Sequence, residues 1–545
     1  MSALSPLRHR LYLALFIAAL VSNLGTWMQN VGAAWLMTEL SPSPLLVALL
    51  QTAASLPIFL IALPAGALAD IVDRRKLLIF SQAWMLIAAG LLAWLTLTHS
   101  VGPWMLLGLT FLLGIGAALN APAWQAIIPE LVPRSELRAA VALGGVNFNI
   151  SRALGPAFGG LIVSAFGAGP NFVLNAVSFL GVMVVFYQWK RPKAVNLLPA
   201  ERVLGAMVAG VRYARHAPPL RAVLVRTATL IIGASAMWAI IPLVARFRLG
   251  LNASGYGMLL GFFGIGAVLG GLALPRARRA SSTDVVSAVA TVIVAGQFVV
   301  LGLVRTLPII QVAMVIGGAA WVCAMTELNV AAQLAVPEWV RGRALACYQI
   351  ILQGGLAGAS ALWGYVAERN GSPEAMLIAA AACLVSIPIV YIFPLAPLGR
   401  LKLDQMTLRP APDVSNIEPE NGPVLVAVEY RIDPSNAYDF EHLMRSQLRD
   451  IRRRDGAFFW GLFFDAEQPE RFVEYWLVET WVEHIRQHER GTLSDRIVFE
   501  RIASFHIGNG PPVVTHLVSA EVIERHGNAI FKHSDPPTPA TASKA

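Results

Sequence analysis

Charge is scarce in this sequence: Asp, Glu, Lys and Arg make up 14% of its 545 residues, against about 25% in ordinary soluble domains. That shortage excludes a disordered chain, which stays open through charge and low hydrophobicity. Cysteine is nearly absent. The three present, Cys323, Cys347 and Cys383, lie inside apolar runs without pairing logic or metal-ligand spacing. A disulfide-stapled secreted domain is thereby excluded, and the three read as small packing residues. No Gly-x-x-x-x-Gly-Lys-Ser/Thr loop occurs, so the sequence offers no ATP-driven engine. What it has in excess is apolar surface, 56% hydrophobic residues and a mean hydropathy of +0.60. Most of this chain reads as a membrane protein.

The net charge of +9 is unevenly placed. Residues 1–421 hold 28 basic and 15 acidic side chains, a net +13, whereas 422–520 hold 11 and 15, a net −4. The positive excess belongs to the hydrophobic part, where bilayer topology accounts for it. A nucleic-acid footprint would be a basic stripe on a soluble domain, and none is legible.

Apolar runs of the ~20 residues that cross a bilayer fall near 11–36, 45–69, 77–98, 103–129, 139–165, 170–189, 222–245, 255–275, 284–304, 308–335, 343–366 and 374–396. The first is too long for a signal peptide and lacks a small-residue cleavage site, so it reads as an uncleaved first helix. One set of loops carries Arg74, Arg75, Lys76, Arg134, Arg138, Lys190, Arg191, Lys193, Arg276, Arg278, Arg279, Arg341 and Arg343; the alternate set carries only Arg246, Arg248, Arg305 and Arg369. Basic side chains stay cytoplasmic on insertion. The expectation is therefore twelve spans in the inner membrane, with both termini and the connection 190–221 cytoplasmic.

The halves repeat. Gly66, Asp70, Asp73 and Arg74 are answered by Gly271, Pro275, Arg278 and Arg279 at an offset of 205, and Gln125, Pro129 and Glu130 by Gln333, Pro337 and Glu338 at 208. Arg138 and Gly159 are answered by Arg343 and Gly364, again at 205. Duplicated six-helix halves are the pattern of a transporter that rocks one bundle against the other. The expected fold is thus all-α membrane, with two pseudo-symmetric bundles at 1–189 and 222–400. A Pro-containing linker, 401–421, then leads to a small α+β domain, 422–520, and a disordered tail, 521–545. Alternation predicts strands at 424–430, 457–464, 472–477 and 513–518, with helices at 438–453, 481–488 and 494–502.

The sharpest motif is Gly66-Ala-Leu-Ala-Asp70-Ile-Val-Asp73-Arg74-Arg75-Lys76. A glycine at a helix end admits a neighbouring helix, and a carboxylate beside arginines at a membrane edge can hold one ion-pair arrangement in one conformer and release it in another. The alternative is a positive-inside anchor with a tight turn. This motif resembles the loop between helices 2 and 3 of the major facilitator superfamily, with Asp73 in place of its usual glycine. The resemblance implies that Asp70 and Arg74 form a cytoplasmic gate stabilising the outward-facing state; the second copy has Pro275 where the acid would be. Ser22-Asn-Leu-Gly25-Thr-Trp27-Met-Gln29, Pro129-Glu130-Leu-Val, Arg152-Ala-Leu-Gly155-Pro156-Ala-Phe-Gly159-Gly160 and Gly255-Tyr256-Gly257 through Gly270 narrow the resemblance. Over roughly residues 8–396 they are similar to the branch of enterobactin exporters and macrolide-efflux relatives. Gly155, Pro156, Gly159 and Gly160 resemble the antiporter motif of span 5, with Ser151 where an upstream glycine is usual. Thr110 stands where proton-linked drug exporters carry an arginine.

Charges at bilayer depth are costly and tend to face a cavity or a partner. Arg152, one turn from Asn149, reads as a cavity cation for a substrate anion or as half of an ion pair. Glu327 reads as a proton or cation site or as half of a buried pair, since a desolvated carboxylate exchanges protons nearer neutrality. Asn23, Gln29 and Asn30 are candidates for the same cavity, or for helix–helix contacts. Glu130 and Glu338 occupy matching cytoplasmic helix ends, solvated or switching between Arg74 and Arg343. In the soluble domain, Trp476, Trp481, His484 and His488 stand out, in a pattern similar to ferredoxin-like, dimeric α+β barrels related to antibiotic-biosynthesis monooxygenases. His484 and His488 share a helix face, but no third ligand is legible, so no metal or other cofactor is assigned.

The leading function is a non-enzymatic secondary exporter of an amphipathic small molecule such as a siderophore or drug. Its other partners would be the lipid bilayer, protons in antiport and a second copy through the soluble domain. The rival is a membrane-tethered, oxygenase-like enzyme. It has no need of twelve spans, and no convergent acid, base and nucleophile is legible in 422–520.

Overall fold

The computed structural model describes residues 4–189, 203–395 and 417–520. The linker residues 401–416, the tail 521–545 and the connecting residues 190–202 lie outside them. Two compact units result: unit 1 is Met1–Met207, Ala222–Leu334 and Gly342–Pro397; unit 2 is Val208–Arg221, Ala335–Arg341 and Leu398–Ala545.

The first half of unit 1 holds α1 (Arg10–Leu40), α2 (Pro44–Ile71), α3 (Arg74–Leu97), α4 (Pro103–Leu131), α5 (Leu137–Phe166) and α6 (Gly169–Gln188). After α7 (Val203–His216) come α8 (Pro218–Ala234), α9 (Ala236–Leu243), α10 (Ala253–Ala280), α11 (Thr283–Leu303), α12 (Leu307–Leu334), α13 (Arg341–Asn370), α14 (Ser372–Val385) and α15 (Ile387–Ile392). The helix starts have local causes. Ser43 accepts from Leu46 N and Pro44 stands at the first turn of α2; Asp73 accepts from Arg75 N and Lys76 N to cap α3. Asn252 and Ser282 cap α10 and α11 in the same way. Pro57, Pro64, Pro122, Pro129 and Pro156 lie inside helices, which membrane helices tolerate because neighbours satisfy the freed carbonyls.

Among the described residues, eleven helical stretches are long and apolar enough to cross a membrane, Pro218–Arg248 and Ser372–Ile392 each counting as one. The expected fifth span, α5, is a 30-residue helix outside that set. Asn147, Asn149, Ser151 and Arg152 interrupt its apolar run. The connection 190–221 is not all loop: Val203–His216 is helical, and the next helix starts at Pro218, earlier than its apolar run.

Unit 2 contains β1 (Val424–Arg431), α16 (Ala437–Leu443), α17 (Arg449–Asp455), β2 (Phe459–Phe464), β3 (Arg471–Val478), α18 (Trp481–Glu489), α19 (Leu493–Ala503) and β4 (Val513–Val518). The strands form one antiparallel sheet, ordered β2-β3-β1-β4. Register aligns Trp460, Trp476, Val426 and His516 in one row across it. Period-two burial puts Val424, Val426, Val428 and Tyr430 of β1 inside, against Phe440, Leu443 and Met444.

Candidate functional site

Arg152 lies midway along α5, where a cation in hydrocarbon must be turned toward protein or water. Its guanidinium carbon stands 5.7 Å from the centre of the Phe263 ring on α10. Its Nε and Nη2 are buried and have no hydrogen-bond partner among the described residues. Aromatic rings continue from there: Phe263 meets Trp238 of α9 edge-on at 5.7 Å, Trp238 meets Trp27 of α1 at 6.1 Å, and Trp27 meets Phe148 of α5 at 6.1 Å. One cation with unused donors thus ends a row of rings drawn from both halves of unit 1. Such a row offers a stacking surface for an apolar body, and the cation offers charge-assisted bonds to an acid. Sequence reasoning singled out Arg152 but not Phe263 or Trp238, whose apolar surroundings hide them among core residues.

The intramembrane acid Glu327 is engaged. Glu327 is fully buried, and its Oε1 accepts from Arg278 Nε at 2.7 Å; α10 runs past the expected span end and carries Arg278 within the helix. Oε2 of Glu327 and Nη2 of Arg278 are buried without a partner among the described residues. This ion pair is half satisfied. The remaining polar candidates divide. Gln29 is buried and accepts from Asn175 of α6; Asn23 donates to Asn147, which donates in turn to Phe16 O. These tie α1 to α6 and α5. Asn149 donates to Gly145 O on its own helix, and Asn30 is exposed.

At the α2–α3 corner, Asp73 acts as a cap while its basic neighbours reach sideways. Arg74 Nη1 donates to Glu130 at 2.9 Å and to Ala126 O, both on α4. Arg75 donates to Phe186 O and Tyr187 O at the end of α6, at 2.8 and 2.6 Å. The side chains of Asp70 and Glu338 lie outside the described residues. Arg343 is half-buried in the first turn of α13. Gly66 does not serve close approach: a Cβ there would meet nothing within 4 Å. The span 5 glycines do. A Cβ on Gly155 would lie 2.5 Å from Trp27 Cβ, on Gly159 2.8 Å from Met28 Cα, and on Gly160 2.6 Å from Ala253 O. Gly155 and Gly159 seat α5 on α1, and Gly160 with Gly257 brings α5 onto α10. Pro156 lies inside α5 and leaves it helical throughout.

A fastening that sequence reasoning missed joins the two halves near the α1–α2 turn. Arg246 donates to Thr38 Oγ1 at 3.0 Å and lies 5.4 Å over the ring of Trp35, which stacks on Tyr256. In unit 2, Arg212 of α7 donates to Glu483 of α18 at 2.8 Å, and Glu483 also accepts from Arg490. Burial pushes the Glu483 carboxyl up, but Arg490 and Arg212 outweigh it and hold it below its ordinary range. Tyr213 donates to Ala335 O at 3.0 Å, and Arg490 lies 4.7 Å over Trp339. The soluble sheet and its helices therefore share one unit with two segments that continue into α8, α12 and α13.

A family model described as transmembrane secretion effector matches residues 1–525. The chain is 25% identical to the enterobactin exporter EntS of Shigella boydii over 401 residues, 72% of this chain and 94% of that one. It is 25% identical to the multidrug efflux pump Tap of Mycolicibacterium fortuitum, over 61% of this chain and 83% of that one. Against the staphyloferrin A transporter of Staphylococcus aureus it is 27% identical over 30% of this chain and 42% of that one. Like that transporter, the Bacillus subtilis relative YfiS is spanned over only about two fifths of its length, 41%. Among solved structures, a POT family transporter in complex with a thioalcohol-conjugated peptide superposes with a TM-score of 0.59 at 13% identity, covering 70% of this chain and 96% of that one. The fold is that of these transporters.

Proposed function

The chain belongs to the transmembrane secretion effector family of major facilitator transporters, and from that premise we propose a secondary exporter that moves an amphipathic, acidic small molecule outward across the inner membrane. Two relatives named for export, of enterobactin and of multiple drugs, align over most of their own length and support the direction. The acidic and aromatic character of the cargo rests on Arg152, with its two unused donors at the end of the row Phe263, Trp238, Trp27. We take α5 as the twelfth span. Its Asn147 and Ser151 are buried against α1 rather than turned to lipid, Ser151 Oγ lying 3.4 Å from Leu20 O. Twelve spans in two six-helix bundles, with basic loops and both termini cytoplasmic, then follow from the repeat and the loop charges.

Alternating access is assigned to rocking of these bundles. Asp70, Arg74 and Glu130 act as the inner gate with Glu338 and Arg343 opposite, and Gly160 of α5 against Gly257 of α10 is the contact across which the halves move. Protons are the coupling ion in this reading, and Glu327 is the carrier, because its second oxygen is buried with no donor of its own among the described residues. Unit 2 has the β-α-β-β-α-β order of ferredoxin-like domains. Its outer sheet face, with Phe459 and Phe463 stacked on Tyr475, is open enough to pair with a second copy.

Purified protein in proteoliposomes with an imposed pH gradient tests the proposal, with an anionic aromatic dye as cargo. Accumulation should follow the gradient. Arg152→Ala should lower it roughly tenfold or more, the size of a charge-assisted bond of ~1.5–3 kcal/mol, and Arg152→Lys should restore part of it. Glu327→Gln should abolish accumulation but leave dye exchange. Flux indifferent to the gradient would remove the antiport claim; an Arg152→Ala protein as active as wild type would remove the acidic cargo.

A further inference from the structure

Three histidines of unit 2 converge from two elements that the sequence keeps apart. His484 and His488 lie one turn apart on α18, and His516 stands on the edge strand β4, in the sheet row it shares with Val426 and Trp476. One ring nitrogen from each lies within 4.8 Å of the other two, and the Nε2 atoms of His484 and His488 are 3.4 Å apart. Ring centres are 5.0 Å apart for His484 and His488, and 4.8 Å for His484 and His516. His484 is 1% exposed, whereas His488 and His516 are half-buried, so the cluster is walled on one side and reachable on the other.

The spacing is that of metal ligands. Nitrogens bound at ~2.0–2.1 Å to a tetrahedral ion sit roughly 3.3–3.4 Å from one another. The α18 pair already has that separation, and a ring nitrogen of His516 lies within 4.8 Å of both. The cluster contains imidazole and no carboxylate. That donor set suits zinc, cobalt, nickel or copper and is wrong for magnesium or calcium.

We propose that His484, His488 and His516 bind one divalent transition-metal ion of the zinc class, leaving a fourth position to water or an outside ligand. The site is independent of the transport reading. It lies beside Glu483, the residue that holds Arg212 of α7, so an ion there bears on the element gripping the segment that runs into α8.

The test uses the full chain, purified in detergent through an affinity tag without histidine and stripped with a chelator. Cobalt(II) alone should produce the ligand-field bands of a four-coordinate nitrogen site at one ion per chain, and zinc should displace it, whereas magnesium should not. Substitutions His488→Ala and His516→Ala, at half-buried positions, should each weaken binding roughly 100-fold or more, beyond the 10–100-fold typical of residues that only orient a ligand. His442→Ala, at an exposed position away from the cluster, should bind as wild type. Absence of cobalt bands in folded wild-type protein, or binding unchanged in His516→Ala, overturns the proposal.

Discussion

A buried Glu474 on β3 shows how a single charged residue is accommodated inside unit 2. Its side chain is fully buried, yet it accepts from Arg452 Nε at 2.9 Å, Arg452 Nη2 at 3.1 Å, Trp460 Nε1 at 3.0 Å and Tyr430 OH at 3.2 Å. Arg452 in turn lies 3.7 Å over Trp476. Four donors on one carboxylate make it a structural anchor. Removing only its charge strands the guanidinium, so Glu474→Gln should destabilise unit 2 by about 3–5 kcal/mol. Denaturant unfolding followed by tryptophan fluorescence measures this, and a loss below about 1 kcal/mol would contradict the anchor role. Arg152 contrasts with Glu474, since its Nε and Nη2 meet no acceptor among the described residues.

Between elements, glycine placement decides which helices touch closely. A Cβ on Gly160 would fall 2.6 Å from Ala253 O and 2.8 Å from Gly257 Cα, so backbone rather than a flexible side chain opposes it. Gly144 on the same helix meets nothing within 4 Å. Gly160→Ala should therefore cost about 1–3 kcal/mol through forced separation of α5 and α10. Gly144→Ala should be neutral or stabilise by up to ~1 kcal/mol through helix propensity. Melting temperatures of the two variants in detergent separate the cases, and equal shifts would deny the contact its role. The span 5 glycine pattern was legible in the sequence; its partners on α1 and α10 were not, because spacing along one helix says nothing of which helix lies opposite.

For the whole molecule, the orientation of the loops is the claim on which the export direction depends. Single cysteines placed at Lys76 and at Arg279, in a background with Cys323, Cys347 and Cys383 replaced, should react with a membrane-impermeant maleimide from the same side of the bilayer. A cysteine at Arg305 should react from the other. Labelling of positions 76 and 279 from opposite sides would break both the repeat and the proposed gate. The native cysteines are free, with two of them buried, so their replacement by serine or alanine clears the background.

Composition and local pattern determined the membrane class, the helical segments, the basic loops from which the proposed orientation is read, and the four strands, each found within two residues of its expected start and end. These are sums over neighbouring residues, and hydrophobic transfer and charge retention act on such sums directly. Tertiary structure alone decided that Glu327 pairs with Arg278, that Arg152 ends a row of rings from both halves, and that α7 joins the soluble sheet in one unit. It also brought His516 to His484 and His488. Each of these depends on how one element is rotated and seated against another, and that is fixed by packing between residues distant along the chain.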